Sequence, residues 1–261
     1  MEPKTLEQTA ANPLATAPIG TLLCRYSIPT TLTLLVNYLY NIADQIFVGQ
    51  GVGITGMAAT NVAFPLTIVN IALALLLGDG CAANLNLCLG RGEQDQANRI
   101  ISHTASLMVG VGILLGIAGS LLAKPIVILF GATETSFQAA LDYTRIIARG
   151  LPFLLFSSAL AASIRADGNP KFTMKCMMLG AGINLVLDPV FIFCLHMGVV
   201  GAAIATVFSQ GVSAFLCYVY MYRKFDILRG TPKERKYQSK LAKTLLSIGV
   251  PMGLQFSITA I

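Results

Sequence analysis

The sequence predicts an all-α polytopic membrane protein: a lobe of six membrane-spanning helices, then the start of a seventh. Three observations carry that reading. Hydrophobic residues make up 55% of the 261, and mean hydropathy is +0.70. Charged residues are only 11%, against about 25% in an average soluble domain. The apolar residues also come in runs long enough to span, roughly 17–25 residues each. A soluble fold of this size needs charge across its surface to stay dispersed. These features exclude a disordered chain, a secreted disulfide scaffold and an ordinary cytosolic enzyme. A membrane barrel would need alternating segments of about ten residues, and none are present.

Residues 1–20 form an N-terminal segment with Pro3, Pro13 and Pro18 beside Glu2 and Glu7. It lacks a basic start and an apolar middle, so no cleavable signal peptide is expected. The six spans are predicted over 25–48, 57–80, 100–122, 143–165, 172–194 and 198–222, within a lobe covering 21–222. Residues 125–142 are too short and too polar in their second half to cross, and are predicted to lie as an interfacial helix. A basic linker follows over 223–243. Apolar character resumes over 244–261, the expected first helix of an incomplete second lobe.

The basic residues set the expected orientation. With the N-terminus in the cytoplasm, every Lys and Arg except Lys124, Arg145 and Arg149 falls on an inside segment, as the positive-inside rule requires. The linker holds Arg223, Lys224, Arg229, Lys233, Arg235, Lys236, Lys240 and Lys243 against Asp226 and Glu234, which is the whole net charge of +6. That excess therefore reads as a cytoplasmic loop between apolar segments, not a nucleic-acid face, which would spread basic residues over a fold with aromatic partners. The expected location is the cell membrane, with the lipid bilayer as the main partner and no nucleic acid.

The six cysteines include no CxxC pair, and most lie in apolar runs, where Cys packs as a small hydrophobe. Neither a disulfide nor a zinc site is expected. No catalytic residue and no cofactor is expected either.

Acidic residues inside spans are the informative ones. Glu93, Asp95, Asp79 and Asp167 sit in loops or at span ends and have solvated readings. Asp44 and Asp188 are flanked by apolar residues on both sides. An ionised Asp in mid-membrane costs about 2.5–3.5 kcal/mol on insertion scales, so such residues usually face a cavity and often handle an ion. At 1.5 Å rise per residue, Asp44 lies roughly 6 Å below the outer edge, Asp188 roughly 9 Å, Tyr40 and Thr206 roughly 12 Å, and Asn184 roughly 15 Å. Five oxygen-bearing side chains from three helices thus share one layer. Tyr40 and Asp44, like Asn184 and Asp188, are four apart and share a helix face. Two carboxylates with amide, hydroxyl and phenol oxygens suit H⁺ or a hard cation such as Na⁺ at Asp44, Asn184, Asp188 and Thr206. Blander readings stand beside this. Asp44 fits an acid near a helix end, Asp188 fits support for a kink at Pro189, Asn184 and Thr206 fit interhelical contacts, and Tyr40 fits packing.

Two prolines are candidate bends. Pro29 lies about one turn into the first predicted span and Pro189 follows Asp188; each removes a helical hydrogen bond. Gly112 with Gly116, and Gly198 with Gly201, suit close helix contacts.

Four runs resemble motifs of the multidrug and toxin extrusion (MATE) family. They are Asn41-Ile42-Ala43-Asp44-Gln45-Ile46-Phe47-Val48-Gly49, Arg165-Ala166-Asp167-Gly168-Asn169-Pro170-Lys171, Asn184-Leu185-Val186-Leu187-Asp188-Pro189, and Gly198-Val199-Val200-Gly201-Ala202-Ala203-Ile204-Ala205-Thr206. The resemblance covers about 20–261, in order. It implies an efflux antiporter of two six-helix lobes that exports organic, often cationic, compounds against H⁺ or Na⁺ entry. By similarity Asp44, Asn184, Asp188 and Thr206 form the cation site, with Tyr40 in its network and Pro29 at the bend of the first helix. The family's length implies a missing C-terminal lobe, so the chain is expected to be a fragment. Ser247-Ile248-Gly249-Val250-Pro251 faintly echoes Tyr26-Ser27-Ile28-Pro29, as a parallel repeat would. The alternatives are a lipid-linked saccharide flippase of related fold and a non-transporting membrane fragment. The flippase would place basic residues in its cavity, whereas the embedded charges here are acidic.

Overall fold

A computed structural model describes residues 18–225. The first 17 residues, the linker beyond Phe225 and the predicted seventh helix lie outside the described residues. Among these the chain is helical, with no strand. The helices are α1 (Ile19–Gly51), α2 (Ile54–Gly90), α3 (Gln94–Leu121), α4 (Ala123–Leu129), α5 (Phe137–Ala166), α6 (Pro170–Pro189) and α7 (Gly198–Phe225), with a π-helical turn over Val190–Cys194 between the last two. All but α4 are long and apolar enough to cross a membrane.

The helices run further than their apolar windows. α2 has 37 residues, about 55 Å at 1.5 Å each, and continues eleven residues past Asp79. Hydropathy fades where the chain leaves hydrocarbon, but backbone hydrogen bonding does not. Pro29 is consequently about three turns into α1, not one. The interfacial helix expected over 125–142 is shorter than predicted. Only Ala123–Leu129 forms α4. Gly131 then takes φ +84°, Ser136 Oγ accepts from Thr133 N at 3.1 Å, and residues 137–142 open α5 instead.

Local chemistry sets the turns. At the α5–α6 turn Gly168 has φ +86°, a conformation that suits glycine. Asn169 then caps α6, its Oδ1 accepting from Phe172 N at 3.2 Å, with Pro170 in the first turn where a missing N–H costs nothing.

α5 is the most buried span and packs on α2, α3 and α7. Small residues let it do so. A Cβ on Gly78 would stand 2.7 Å from Ala159 Cα, and one on Gly112 would stand 2.8 Å from Pro152 Cα. α1 is the least buried span and meets the bundle mainly along α6. Polar tethers cross the bundle: Asn70 Nδ2 donates to Leu151 O at 3.0 Å, and Ser213 Oγ to Cys176 O at 3.3 Å.

Two apolar clusters close the lobe at its ends. At the end holding the α1–α2 turn, α4 and the start of α7, here the far end, Val48, Val62, Val127, Ile192 and Val199 pack together. At the near end, Leu85, Ile101, Leu160, Ile164, Met221 and Phe225 do the same. The polar layer lies between them.

Candidate functional site

Three helices bring the layer together. α1 supplies Tyr40 and Asp44, α6 supplies Asn184 and Asp188, and α7 supplies Thr206. Asp44, Asn184 and Asp188 are buried, the last completely, while Tyr40 and Thr206 are partly buried. The Asn184 amide is the hub. Its Nδ2 donates to Asp188 Oδ1 at 3.2 Å and to Thr206 Oγ1 at 3.4 Å. The Asp44 and Asp188 carboxyls lie within hydrogen-bonding reach of one another. Two bare anions in contact repel, and more strongly where water is scarce, so a proton or cation between them stabilises the layer.

The pattern of satisfied atoms says where. Asp44 Oδ1, Asp188 Oδ2 and Asn184 Oδ1 are buried and accept no hydrogen bond from the protein. Buried acceptors without partners are costly, and three at one site fit a hard cation or protons as the missing donor. Among the described residues no group of three or more His, Cys, Asp or Glu forms a metal site, so the donor set is two carboxylates with neutral oxygens.

Several neighbours escaped the sequence reading. The hydroxyl of Tyr143 on α5 stands near both carboxyls. The predicted span begins at 143, whereas α5 begins six residues earlier, at Phe137. Gln210 on α7 faces Tyr40 and accepts from Ser157 Oγ at 3.3 Å. Tyr40, Asn184 and Thr206 also border a small, mostly polar pocket with Asn37, Ser209, Gln210 and Ser213.

The two prolines differ locally. α1 stays helical through buried Pro29, and Thr33 Oγ1 donates to the Pro29 carbonyl at 2.7 Å. After Pro189 the helix changes from α to π geometry.

Two acids read as solvated are engaged. Asp167 Oδ2 accepts from Tyr220 Oη at 2.7 Å and pairs with Lys224 Nζ at 2.6 Å. Half-buried Asp79 lies near Arg165.

The MatE family profile matches residues 29–190, from the first of these helices to the turn after Asp188. The chain belongs to the MatE family. This MatE-family chain is 33% identical over 208 residues to a FAD transporter of Shewanella oneidensis, covering 78% of the chain and 46% of that relative. It is 26% identical over 226 residues to the multidrug export protein MepA of Staphylococcus haemolyticus, covering 87% of the chain and 50% of that protein. A solved structure described as an outward-facing multidrug resistance MATE family transporter of the MOP superfamily superimposes with a TM-score of 0.82 at 30% identity, over 90% of the chain and 52% of that one. The chain thus spans about half the length of the curated relatives it matches. Those relatives are named as transporters and export proteins, not enzymes.

Proposed function

We propose that this MatE-family chain is the first lobe of a cation-coupled antiporter that exports small organic, cationic compounds across the cell membrane. The far end then faces outside and the near end, with the basic linker, faces the cytoplasm. The observation that carries the reading is the trio of buried, unpartnered oxygens on Asp44, Asp188 and Asn184. Entry of H⁺ or Na⁺ there removes the repulsion between the carboxyls and draws α1 against α6. α1 is the element free to respond, since it has the fewest buried contacts, and Pro29 gives it a point of compliance. A ligand shifts such an equilibrium only by its differential affinity for the two states. Drug release therefore requires that the ion-bound position of α1 hold cargo less well than the ion-free one. On this reading the chain works with a second lobe beyond residue 225.

The test is efflux of a fluorescent organic cation by the protein carrying both lobes, with pH and Na⁺ gradients varied separately. Asp188→Asn should abolish gradient-driven efflux, at least about a hundredfold, because the coupling charge is lost. Retained efflux in that variant rejects the reading. A second cargo, a flavin nucleotide, is favoured by the relative named a FAD transporter. Export of FAD with no export of the organic cation would select it.

A further inference from the structure

On the proposed orientation three basic residues break the positive-inside rule: Lys124 on α4, and Arg145 and Arg149 on α5. The proposed function uses none of them. Arg145 and Arg149 are four residues apart, share one face of α5 and are both exposed. Two neighbouring helices fix where that face looks. Ala148 and Pro152 lie against Gly112, Gly116 and Gly119 of α3, and Gly150 lies against Val207 of α7. At about 100° per residue, Asp142, Arg145, Arg149 and Phe153 occupy the strip between those two contacts. Tyr143, which stands near the carboxyl layer, lies about 140° around α5 from the arginine pair. The strip therefore looks away from the cation site, out of a groove walled by α3 and α7.

The same contacts set its depth. Arg149 is level with Gly116, about 8 Å inside the end of α3 at Leu121, and Arg145 is level with that end. Phe153, 47% exposed, follows one turn deeper. No acid of the protein neutralises the pair. The Asp142 carboxylate accepts from Gln138 Nε2 at 3.0 Å, and the ion pair among the described residues is that of Lys224 with Asp167. α7 contains no Asp or Glu, and the one acid of α3, Asp95, sits in its first turn at the near end. An Arg at the border of hydrocarbon is costly unless it finds a partner or reaches the interface, and its planar fork suits phosphate oxygens.

We infer that the Arg145–Arg149 face of α5 binds the headgroup of an anionic phospholipid, its phosphate held by the two guanidiniums and its acyl chain laid over Phe153. Charge and depth both favour that occupant. The phosphate of a lipid lies at the level where α3 ends, and its chain runs inward, where the strip turns from basic to aromatic. The choice of leaflet rests on the proposed orientation, which makes it the outer one. The site itself does not involve Asp44 or Asp188, so either reading can fail alone.

The chain contains no tryptophan, so Phe153→Trp places a single fluorescent reporter in the groove. The full chain carrying it is reconstituted in bilayers of phosphatidylcholine and phosphatidylglycerol, with one or the other lipid brominated on its acyl chains. Quenching of the indole then measures which lipid lies beside it. The relative affinity at this position should favour phosphatidylglycerol about fivefold, the effect of one basic residue at an anionic surface. With Arg145→Gln/Arg149→Gln added, the preference should vanish. Equal affinity for the two lipids with both arginines in place overturns the site. A preference that survives the double substitution overturns it as well, because the attraction would then come from other basic residues. Quenching by neither lipid also overturns it, since protein and not lipid would then cover the groove.

Discussion

At Asn184 a neutral amide organises a charged layer. Its nitrogen is used twice, toward Asp188 and Thr206, which leaves its oxygen free among the acids. A carboxylate in its place would add a third negative charge to the layer and an alanine would free two acceptors, so the residue type follows from the two contacts. Asp167 shows the same economy at the near end, where one oxygen serves both Tyr220 and Lys224. The Lys224 side chain is half exposed, so its ion pair contributes little. The Tyr220 bond goes to a charged acceptor whose side chain is nearly buried, and such bonds are worth about 1.5–3 kcal/mol. Asp167→Ala should therefore destabilise the lobe by about 2 kcal/mol in thermal unfolding, while Lys224→Ala should change it by less than about 1 kcal/mol.

At the scale of the helix, the sequence showed the number and order of spans because membrane length and hydropathy are tightly linked. It did not show their ends. α2 continues through Asn84 and Cys88 to Gly90, where Leu85 and Cys88 pack into the near-end cluster, a tertiary contact that hydropathy along one helix does not show. The π turn after Pro189 was also hidden, since a proline announces a disturbance without saying which geometry absorbs it. The depth argument put Tyr40, Asp44, Asn184, Asp188 and Thr206 in one layer, starting from acids that stand out in apolar runs, and the structure brings Asn184 against Asp188 and Thr206. It missed Tyr143 through a misplaced helix start. It missed Gln210 because a polar residue deeper than the layer carries no mark until the neighbouring helix is in place. Glycine spacing was legible only as possible contact, and the structure identifies which contacts are backbone against backbone. Gly78→Val would push a side chain into Ala159 Cα. Overpacking of this kind costs about 1–3 kcal/mol, so the variant should unfold at lower temperature, while Gly90→Ala, with open space around its Cβ position, should not.

At the scale of the molecule, two apolar clusters pack the ends of the lobe and a buried polar layer lies between them. The proposed orientation has a direct check in the native cysteines. Cys24 lies near the start of α1 and Cys194 at the end of the π turn, both exposed, while Cys81, Cys88, Cys176 and Cys217 are buried. A membrane-impermeant thiol reagent applied outside intact cells should label Cys194 and spare Cys24; inverted vesicles should give the opposite. Labelling of Cys24 from outside would invert the topology.

The sparse attachment of α1 also has a meaning for biosynthesis. α1 is made before the helix it leans on, α6, with α2, α3 and α5 made between them. At about 5–20 residues per second, the roughly 140 residues between Asp44 and Asp188 take about seven to thirty seconds to synthesise. Throughout that interval Asp44 stands in or beside lipid without its partner across the layer. The nascent chain must therefore tolerate a solitary acid-bearing helix until α6 arrives, so α1 docks late in the assembly of the lobe. A slow or failed synthesis of α6 would leave a membrane protein with three packed spans, α2, α3 and α5, and one stray helix, a form that quality control could recognise by its exposed carboxyl.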